Sequence, residues 1–272
     1  EIVHNKHVIK DLEQKGTIFI EDVEIVPNDR PLIFSAHGVS KKVVDLSKNN
    51  NSIIIDATCP LVTKVHVQAQ KFFNQGIKII LIGHKNHPEV EGTMGQLPEG
   101  SIFLVENLSD IAGLKFNDKD EIAYITQTTL SVDDTNNIIS ELRKKFPKIK
   151  SSPKEDICYA TTNRQNAIKV YAPKCDSFIV IGSKNSSNSN RLVEVASNSG
   201  CKNVCLLEDA SKLNLEEYNS SEVIGISSGA SVPDILVTQV VAKFEEHFKV
   251  DIEFAKYGEE NVSFKLPKEL RK

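Results

Sequence analysis

Short apolar runs alternate along the chain with polar loops and with stretches that carry helix start signals. We expect strands at the apolar runs 32–34, 53–55, 77–82, 123–125, 178–181 and 223–226. Pro60 and Pro233 each follow a loop at a position that suits the first residue of a helix. Thr162 and Gln165 have the spacing of a capping box. Strands that alternate with helices predict an α/β fold with parallel sheets.

These strand–loop–helix units also repeat at long range. Cys59 and Cys158 lie 99 residues apart, and Gly83 and Gly182 have the same separation and open similar loops. A repeat of this kind indicates copies of one structural unit. The two complete copies each place a cysteine 24 residues before the glycine.

A third, partial copy precedes them. Ser131 and Ser231 extend the match between the complete copies, and His37 opens a related loop in the N-terminal part. We therefore predict three α/β units related by a pseudo-threefold axis around a central site. We expect the third cysteine about two dozen residues before Glu1. The predicted boundaries are 1–57, 58–155 and 156–243 for the units and 244–272 for a C-terminal tail.

Composition and charge narrow the function classes. Charged residues make up 26% of the chain, the net charge is -4, and tryptophan is absent. Without a basic excess or many aromatic side chains, nucleic acid is not an expected partner. The apolar runs are far shorter than the ~20 residues of a transmembrane helix, so no membrane partner is expected either.

The cysteines indicate chemistry and compartment. An odd count of five, without a secretory signal, favours reduced thiols and a cytoplasmic protein, with a plastid location left open. Cys59 and Cys158 follow strands where helices begin, a position that favours the thiolate. One thiolate from each of three units could hold a four-iron cluster with one iron open to substrate as a Lewis acid. The alternative is that both are ordinary buried cysteines. Three further cysteines lack counterparts in the repeat and are interpreted as structural: Cys175, Cys201 and Cys205.

Donor side chains on equivalent loops predict an anion site. Helix N-termini attract anions, and neutral hydroxyls and amides can bind a diphosphate in a dry pocket. Solvated capping residues are the alternative for any single loop. The candidates for this anion site are His4, His37, His87, Ser186, Ser187, Asn188 and Ser231.

Proton transfer is the third predicted function. Glu89 follows the loop that contains His87, and a desolvated carboxyl beside an anion has a raised pKa, so it could hold a proton near neutral pH. Thr128 could pass a hydrogen bond to this acid. The alternative is that Glu89 is an exposed first-turn acid that stabilises a helix.

Seven segments and the tail closely resemble the LytB (IspH) family, the 4-hydroxy-3-methylbut-2-enyl diphosphate reductases. The resemblance covers nearly the whole chain. The motifs are EIVHN at 1–5, SAHGV at 35–39, DATCPLV at 56–62, HPEVEG at 87–92, TQTTLS at 126–131, DICYATTNRQ at 156–165, GSKNSSNSNR at 182–191 and KLPKEL at 265–270.

The resemblance implies a trefoil of three α/β units and the last step of the non-mevalonate isoprenoid pathway. It implies a [4Fe-4S] cluster on three cysteines, two of which are Cys59 and Cys158, and an open iron that binds the substrate hydroxyl. Glu89 would donate the proton, and Thr128 would orient it, with His87 beside them. The candidate anion-site residues would hold the diphosphate, together with Thr128. Reduced ferredoxin or flavodoxin would supply two electrons, and the products would be isopentenyl and dimethylallyl diphosphate.

One family motif, Gly-Phe-Cys-Ala-Gly, which contains the first cysteine, does not occur in these 272 residues. We therefore expect a further segment before Glu1. A quinolinate-synthase-like Lewis-acid dehydratase and a non-catalytic iron–sulfur sensor remain as alternatives, and a phosphatase-like hydrolase is a weaker one.

Overall fold

The computed structural model describes residues 1–27, 29–50, 53–220, 222–255, 257 and 262–271, and for residue 50 it describes the backbone alone. The strands are β1 Leu32–Phe34, β2 Ile54–Asp56, β3 Lys78–Ile82, β4 Ile102–Val105, β5 Ile122–Thr126, β6 Lys150–Ser151, β7 Ser177–Ile181, β8 Asn203–Leu207 and β9 Ile224–Ser228. The α-helices are α1 Lys6–Gln14, α2 Lys41–Asn50, α3 Pro60–Asn74, α4 Pro88–Met94, α5 Leu108–Gly113, α6 Val132–Lys145, α7 Tyr159–Tyr171, α8 Ser187–Asn198 and α9 Asp234–Glu245. Short 3₁₀ helices span Val23–Ile25, Ala172–Lys174, Ala210–Lys212, Leu215–Glu217 and Lys268–Leu270.

The chain folds into two compact units. The first comprises Glu1–Val3, Ile18–Cys158 and Val262–Lys272, and the second comprises His4–Thr17 and Tyr159–Asn261. Over the described residues, the first unit contains the two-stranded sheet β1-β2 and the four-stranded sheet β4-β3-β5-β6, and the second contains β8-β7-β9. All of the paired strands run parallel.

The four-stranded sheet of the first unit is covered on both faces. Ile79 and Leu81 of β3 pack with α3, whereas Ile80 and Ile82 pack with α6. Successive side chains of a strand point to opposite faces, and a parallel sheet is normally covered on both. The continuous apolar run of β3 follows from this double burial.

The sheet of the second unit repeats this arrangement. Phe178 and Val180 of β7 pack with α7 and α8, whereas Ile179 and Ile181 pack with α9. β7 is buried at all five residues, and β3 is buried from Ile79 to Ile82. The carboxyl end of each strand is therefore a fixed platform for the loop that follows.

The predicted α/β class with parallel sheets is confirmed, and each of the three predicted units contains one sheet. The unit boundaries themselves stay predictions. Pro60 is the first residue of α3 as expected, but Pro233 precedes α9 by one residue. The capping box is wrong, because α7 starts at Tyr159 and Thr162 already lies inside it.

The strand pairing corrects one part of the repeat. Ile82 pairs with Thr126, and Ile181 pairs with Ser228, so the counterpart of Ser231 is Thr129 and not Ser131. Residue spacing alone could not show this, because the connection from β3 to β4 is shorter than the connection from β7 to β8. Over the described part of the chain, no helix is long and apolar enough to cross a membrane.

Candidate active site

Cys59 lies between β2 and α3. Its N–H donates to the carbonyl oxygen of Ala36 at 3.0 Å, and Pro60 starts the helix immediately after it. Burial raises the pKa of the Cys59 thiol, although the backbone N–H groups of Leu61 and Val62 lower it. We expected the helix N-terminus to favour the thiolate, and this effect is present but is outweighed by desolvation.

Cys158 belongs to the first unit, as Cys59 does. Charge on Cys158 and on Glu89 would further raise the pKa of Cys59, so the three groups are close enough to interact electrostatically. The N–H of Cys158 donates to the carbonyl oxygen of Thr128 at 2.9 Å, and α7 starts at the next residue. Both cysteines that the repeat singled out thus lie in the first unit, and Cys59 is within electrostatic range of Cys158 and of Glu89.

Glu89 lies in the first turn of α4 and is only 3% exposed. Its Oε1 accepts the N–H of Thr128 at 2.6 Å, and its Oε2 accepts the Thr128 hydroxyl at 3.0 Å. Burial raises the pKa of Glu89 to about 7, although both bonds from Thr128 lower it. The alternative of an exposed first-turn acid is therefore wrong, and Glu89 can hold a proton near neutral pH.

His87 caps the helix that carries Glu89. Its Nδ1 accepts the N–H of Glu89 at 3.2 Å, which leaves Nε2 to carry the proton of the neutral ring. The ring of His37 lies 5.8 Å from that of His87, nearly perpendicular to it. Both rings are half-buried and belong to the first unit. Two of the three predicted histidines are therefore neighbours.

The remaining predicted site residues belong to the second unit. Ser186 caps α8 by accepting the N–H of Ser189 at 3.2 Å, and Ser187 is the first residue of this helix. Asn188 is 5% exposed, and within the described residues neither Oδ1 nor Nδ2 has a hydrogen-bond partner. Such a buried amide is costly unless a ligand binds it.

Two other predicted donors lie elsewhere in the second unit. Ser231 is half-buried in the turn that follows β9, and it does not cap α9, whose N-cap is Pro233. His4 is half-buried and immediately precedes Asn5, whose side chain caps α1. Each lies at the end of a strand or at the start of a helix, as expected from the sequence.

His66, left without a role on sequence grounds, supports the His37 loop. A Cβ on Gly38 would lie 2.6 Å from Cε1 of His66, and φ of Gly38 is +80°, so only glycine fits this turn. Burial lowers the pKa of His66 to about 4, and its ring is neutral at pH 7. No signal in the sequence connects these two residues.

Gln127 is another residue that sequence reasoning missed. It is 1% exposed, and its Oε1 accepts the N–H of His84 at 3.0 Å while its Nε2 donates to Thr129 at 3.1 Å. This amide ties the end of β5 to the loop that leads to His87. Gln127 belongs to the motif TQTTLS at 126–131, but only the fold shows that its side chain is buried.

The thiols present fit part of an iron–sulfur site. Cysteine thiolates are the usual ligands of such clusters. Over the described residues, no group of three or more His, Cys, Asp or Glu side chains could hold a metal ion. Cys59 and Cys158 fit two positions of the three-thiolate set that the repeat predicts. The other three cysteines are unpaired thiols in the second unit, of which Cys201 is buried and Cys205 exposed.

The chain is similar to several known proteins. The model of the LytB protein family matches residues 1–245. Proteins named 4-hydroxy-3-methylbut-2-enyl diphosphate reductase from Roseobacter denitrificans and Beijerinckia indica are each 50% identical to it, over 271 and 272 residues. These matches cover 100% of this chain and 86% and 85% of the relatives.

Two solved structures have similar folds. The E-1-hydroxy-2-methyl-but-2-enyl-4-diphosphate reductase from Plasmodium falciparum superimposes with a TM-score of 0.92 at 41% identity, covering 98% of this chain and 84% of that one. An (E)-4-hydroxy-3-methyl-but-2-enyl diphosphate reductase, described as the terminal enzyme of the non-mevalonate pathway, gives 0.64 at 32% identity, covering 90% and 86%. The fold and its relatives define an α/β oxidoreductase. The chain belongs to the LytB family.

Proposed function

We propose that this protein removes the allylic hydroxyl of (E)-4-hydroxy-3-methylbut-2-enyl diphosphate by reduction. The C–O bond breaks, two electrons and two protons are consumed, and the oxygen leaves as water. A new C–H bond at either end of the allyl group gives isopentenyl or dimethylallyl diphosphate. Membership of the LytB family and the substrate named for its relatives support this reaction.

Cys59 and Cys158 would hold two irons of a [4Fe-4S] cluster. The third thiolate, which the internal repeat predicts, would come from residues before Glu1. When bound, such a cluster supplies electrons one at a time and an open iron that accepts the substrate oxygen. The half-buried position of both thiols, beside a protonatable acid, supports this assignment.

Glu89 is the proton donor in this proposal. With a pKa of about 7 it can hold a proton at neutral pH, which suits general acid catalysis. Thr128 holds the carboxyl at both oxygens and so fixes the direction in which the proton is given. His87 caps the same helix turn, and its Nε2–H can donate to an anionic substrate.

The diphosphate would be bound by neutral donors rather than by an excess of cations. Asn188 supports this role most directly, because its buried amide has no partner in the described part of the protein. Ser186 and Ser187 lie at the N-terminus of α8, where the helix dipole favours anions. The full set of proposed diphosphate ligands is His4, His37, His87, Thr128, Ser186, Ser187, Asn188 and Ser231.

The electrons would come from a reduced ferredoxin or flavodoxin. These are one-electron carriers, which suits a reaction that consumes two electrons in succession. All five cysteines are free thiols, and this supports a reducing, cytoplasmic environment.

The buried pair of Glu89 and Thr128 beside two thiols is the observation that carries the proposal. An iron–sulfur sensor would not require a protonatable carboxyl in that position. A Lewis-acid dehydratase would use the acid but would need no reductant. The reductase is therefore favoured by the site and by the family together.

The test is a stoichiometry measurement. The full protein is reconstituted anaerobically with iron and sulfide, reduced, and offered the hydroxylated allylic diphosphate. We expect two electrons consumed per molecule of isopentenyl or dimethylallyl diphosphate, and no substrate loss when reductant is omitted. Consumption without reductant would favour the dehydratase, release of phosphate the hydrolase, and binding without turnover the sensor.

A further inference from the structure

One lysine connects the two segments that carry the thiols. Lys64 lies on α3, whose N-cap is Cys59. Its Nζ lies 3.2 Å from Oδ1 of Asp156 and donates to the carbonyl oxygens of Lys154 at 3.1 Å and Glu155 at 2.5 Å. Three oxygens of the segment that leads to Cys158 therefore converge on one ammonium group.

Asp156 is held on its other side by the end of the sheet. Its Oδ2 accepts the N–H of Thr126 at 3.2 Å and the hydroxyl of Ser152 at 3.0 Å. Only Ile157 separates it from Cys158, whose N–H donates to Thr128. The carboxylate thus lies between α3 and the carboxyl end of β5, immediately before the second thiol.

This ion pair differs from the exposed ones in the first unit. The side chain of Asp156 is 3% exposed and that of Lys64 is 30% exposed. In the pair Lys144–Glu141, both side chains are much more exposed. Exposed pairs contribute little, whereas a buried carboxylate requires its partner. The Lys64–Asp156 contact is therefore a fixed connection and not a transient one.

The backbone of 152–158 explains why a connection is needed here. These residues belong to no helix or strand, in contrast to α3, which packs on the sheet through Val65, Ala69 and Phe72. Packing therefore fixes the helix after Cys59, but irregular backbone has fewer constraints on its position. The Lys64 ammonium supplies such a constraint between α3 and residues 152–158.

We propose that Lys64, through Asp156 and the carbonyl oxygens beside it, is a positioning residue that holds the Cys158 thiol at a fixed distance from the Cys59 thiol. All of the contacts lie within the first unit. The spacing is a property of the metal-free protein. Its use in holding a cluster rests on the proposed function, but its measurement does not.

The test measures the spacing in the metal-free protein. Dibromobimane, a short bifunctional reagent that becomes fluorescent when both of its arms have reacted with thiols, is added to the full protein, and peptide mass mapping assigns the Cys59–Cys158 product. A monofunctional maleimide measures the reactivity of each thiol separately. The ratio of bridged to singly modified product then reports spacing and not thiol pKa.

We expect Lys64→Met to lower this ratio by about fivefold, which corresponds to about 1 kcal/mol. Lys64→Arg, which keeps the charge, restores most of it. Lys71→Met, an exposed lysine on the same helix, makes the same change of charge and leaves the ratio unaltered. In the holoprotein, Lys64→Met should also lose its cluster to a chelator faster than Lys71→Met does.

Because Lys64→Met leaves Asp156 buried without its partner, it can fail to fold. The double variant Lys64→Met/Asp156→Asn removes both charges and should show the same reduced ratio in a protein that melts cooperatively. An unchanged ratio in the folded variants, or no bridging in the wild type, would overturn the proposal. If the ratio falls in the variants but the wild-type protein shows no reductase activity, the positioning role stands and the proposed function is removed.

Discussion

The loops that follow β3 and β7 have the same backbone plan but use their polar side chains differently. Each starts at a glycine and ends in a capped helix, with His87 as the cap of α4 and Ser186 as the cap of α8. Two residues after the cap, the first loop has Glu89 and the second has Asn188. Glu89 is hydrogen-bonded at both oxygens, whereas the amide of Asn188 has no partner among the described residues.

The strand register explains the part of this difference that involves the Thr128 hydroxyl. Because Thr126 and Ser228 occupy equivalent positions, the counterpart of Thr128 is Ala230, which has no hydroxyl group. The first loop therefore satisfies its buried polar group internally, and the second leaves it open. The same backbone plan thus holds two different groups: a carboxyl whose pKa burial raises to about 7 in one copy, and a buried amide without a partner among the described residues in the other.

Replacing the acid gives the largest expected effect. Glu89→Gln keeps the shape and the contact with the Thr128 N–H but cannot donate a carboxyl proton, so kcat should fall by about 10²–10⁴-fold. Steady-state assays measure this, and the cluster absorption should be unchanged. Glu91→Gln, an exposed acid on the same helix, is the matched control. A loss below about tenfold would remove Glu89 from the proton-transfer role.

A carboxyl in one loop and an amide in the other predict pH sensitivity in the first loop only. The pKa of Glu89 is raised from 4.5 to about 7, so the folded state binds more protons between these values, and the free energy of unfolding falls as pH rises. The pKa of His66 is lowered from 6.5 to about 4, so the folded state binds fewer protons than the unfolded state between these values. For this group, the free energy of unfolding therefore falls as pH falls through that range. Each contribution is worth up to about 3 kcal/mol, with opposite sign.

The two groups should therefore compensate between pH 4.5 and 6.5. Glu89→Gln removes one of them, and we expect the stability of this variant relative to the wild type to drop by about 2 kcal/mol from pH 6.5 to 4.5. Urea unfolding at several pH values measures the difference, and His66→Gln should shift it the other way. Parallel pH curves for Glu89→Gln and the wild type would show that folding does not raise the pKa of Glu89.

Because the amide of Asn188 has no partner among the described residues, we expect its replacement to stabilise the protein and to weaken diphosphate binding. Asn188→Leu removes a buried, unsatisfied polar group, so the ligand-free protein should gain about 1–3 kcal/mol of unfolding free energy. Binding of inorganic diphosphate, measured by calorimetry, should weaken in the same variant. Asn190→Leu is the control, because that amide donates to the carbonyl oxygen of Lys184 and its loss should destabilise. Destabilisation by Asn188→Leu would mean that the amide has a partner.

The smallest effect tests the register argument. Thr128→Ala gives the first loop the residue found at the equivalent place in the second, Ala230. One of the two hydrogen bonds to Glu89 is lost, and the pKa of that carboxyl should rise by about one unit. The pH profile of kcat shows this as an alkaline shift of its descending limb. An unshifted profile would mean that the hydroxyl does not stabilise the carboxylate.

The periodic features of this protein were predictable from the sequence. The apolar run at Ile79–Ile82 and its copy at Phe178–Ile181 predicted buried parallel strands, and the matched spacing of Cys59 and Cys158 predicted that they are equivalent. Side-chain periodicity and internal repetition are local properties of a chain, and they survive whatever the chain packs against. The pairing of Ser131 with Ser231 was wrong because it counted residues across loops, and loop length is not periodic.

Sequence by itself determined the α/β class, the repeated loops and the set of candidate donors, since these follow from residue type and spacing. Only tertiary structure decided that Glu89 is desolvated, that Asn188 lacks the partner Glu89 has, and that Lys64 reaches Asp156. Burial and hydrogen bonding depend on which distant segments are brought together, and the resulting pKa and binding properties arise from that environment rather than from residue type.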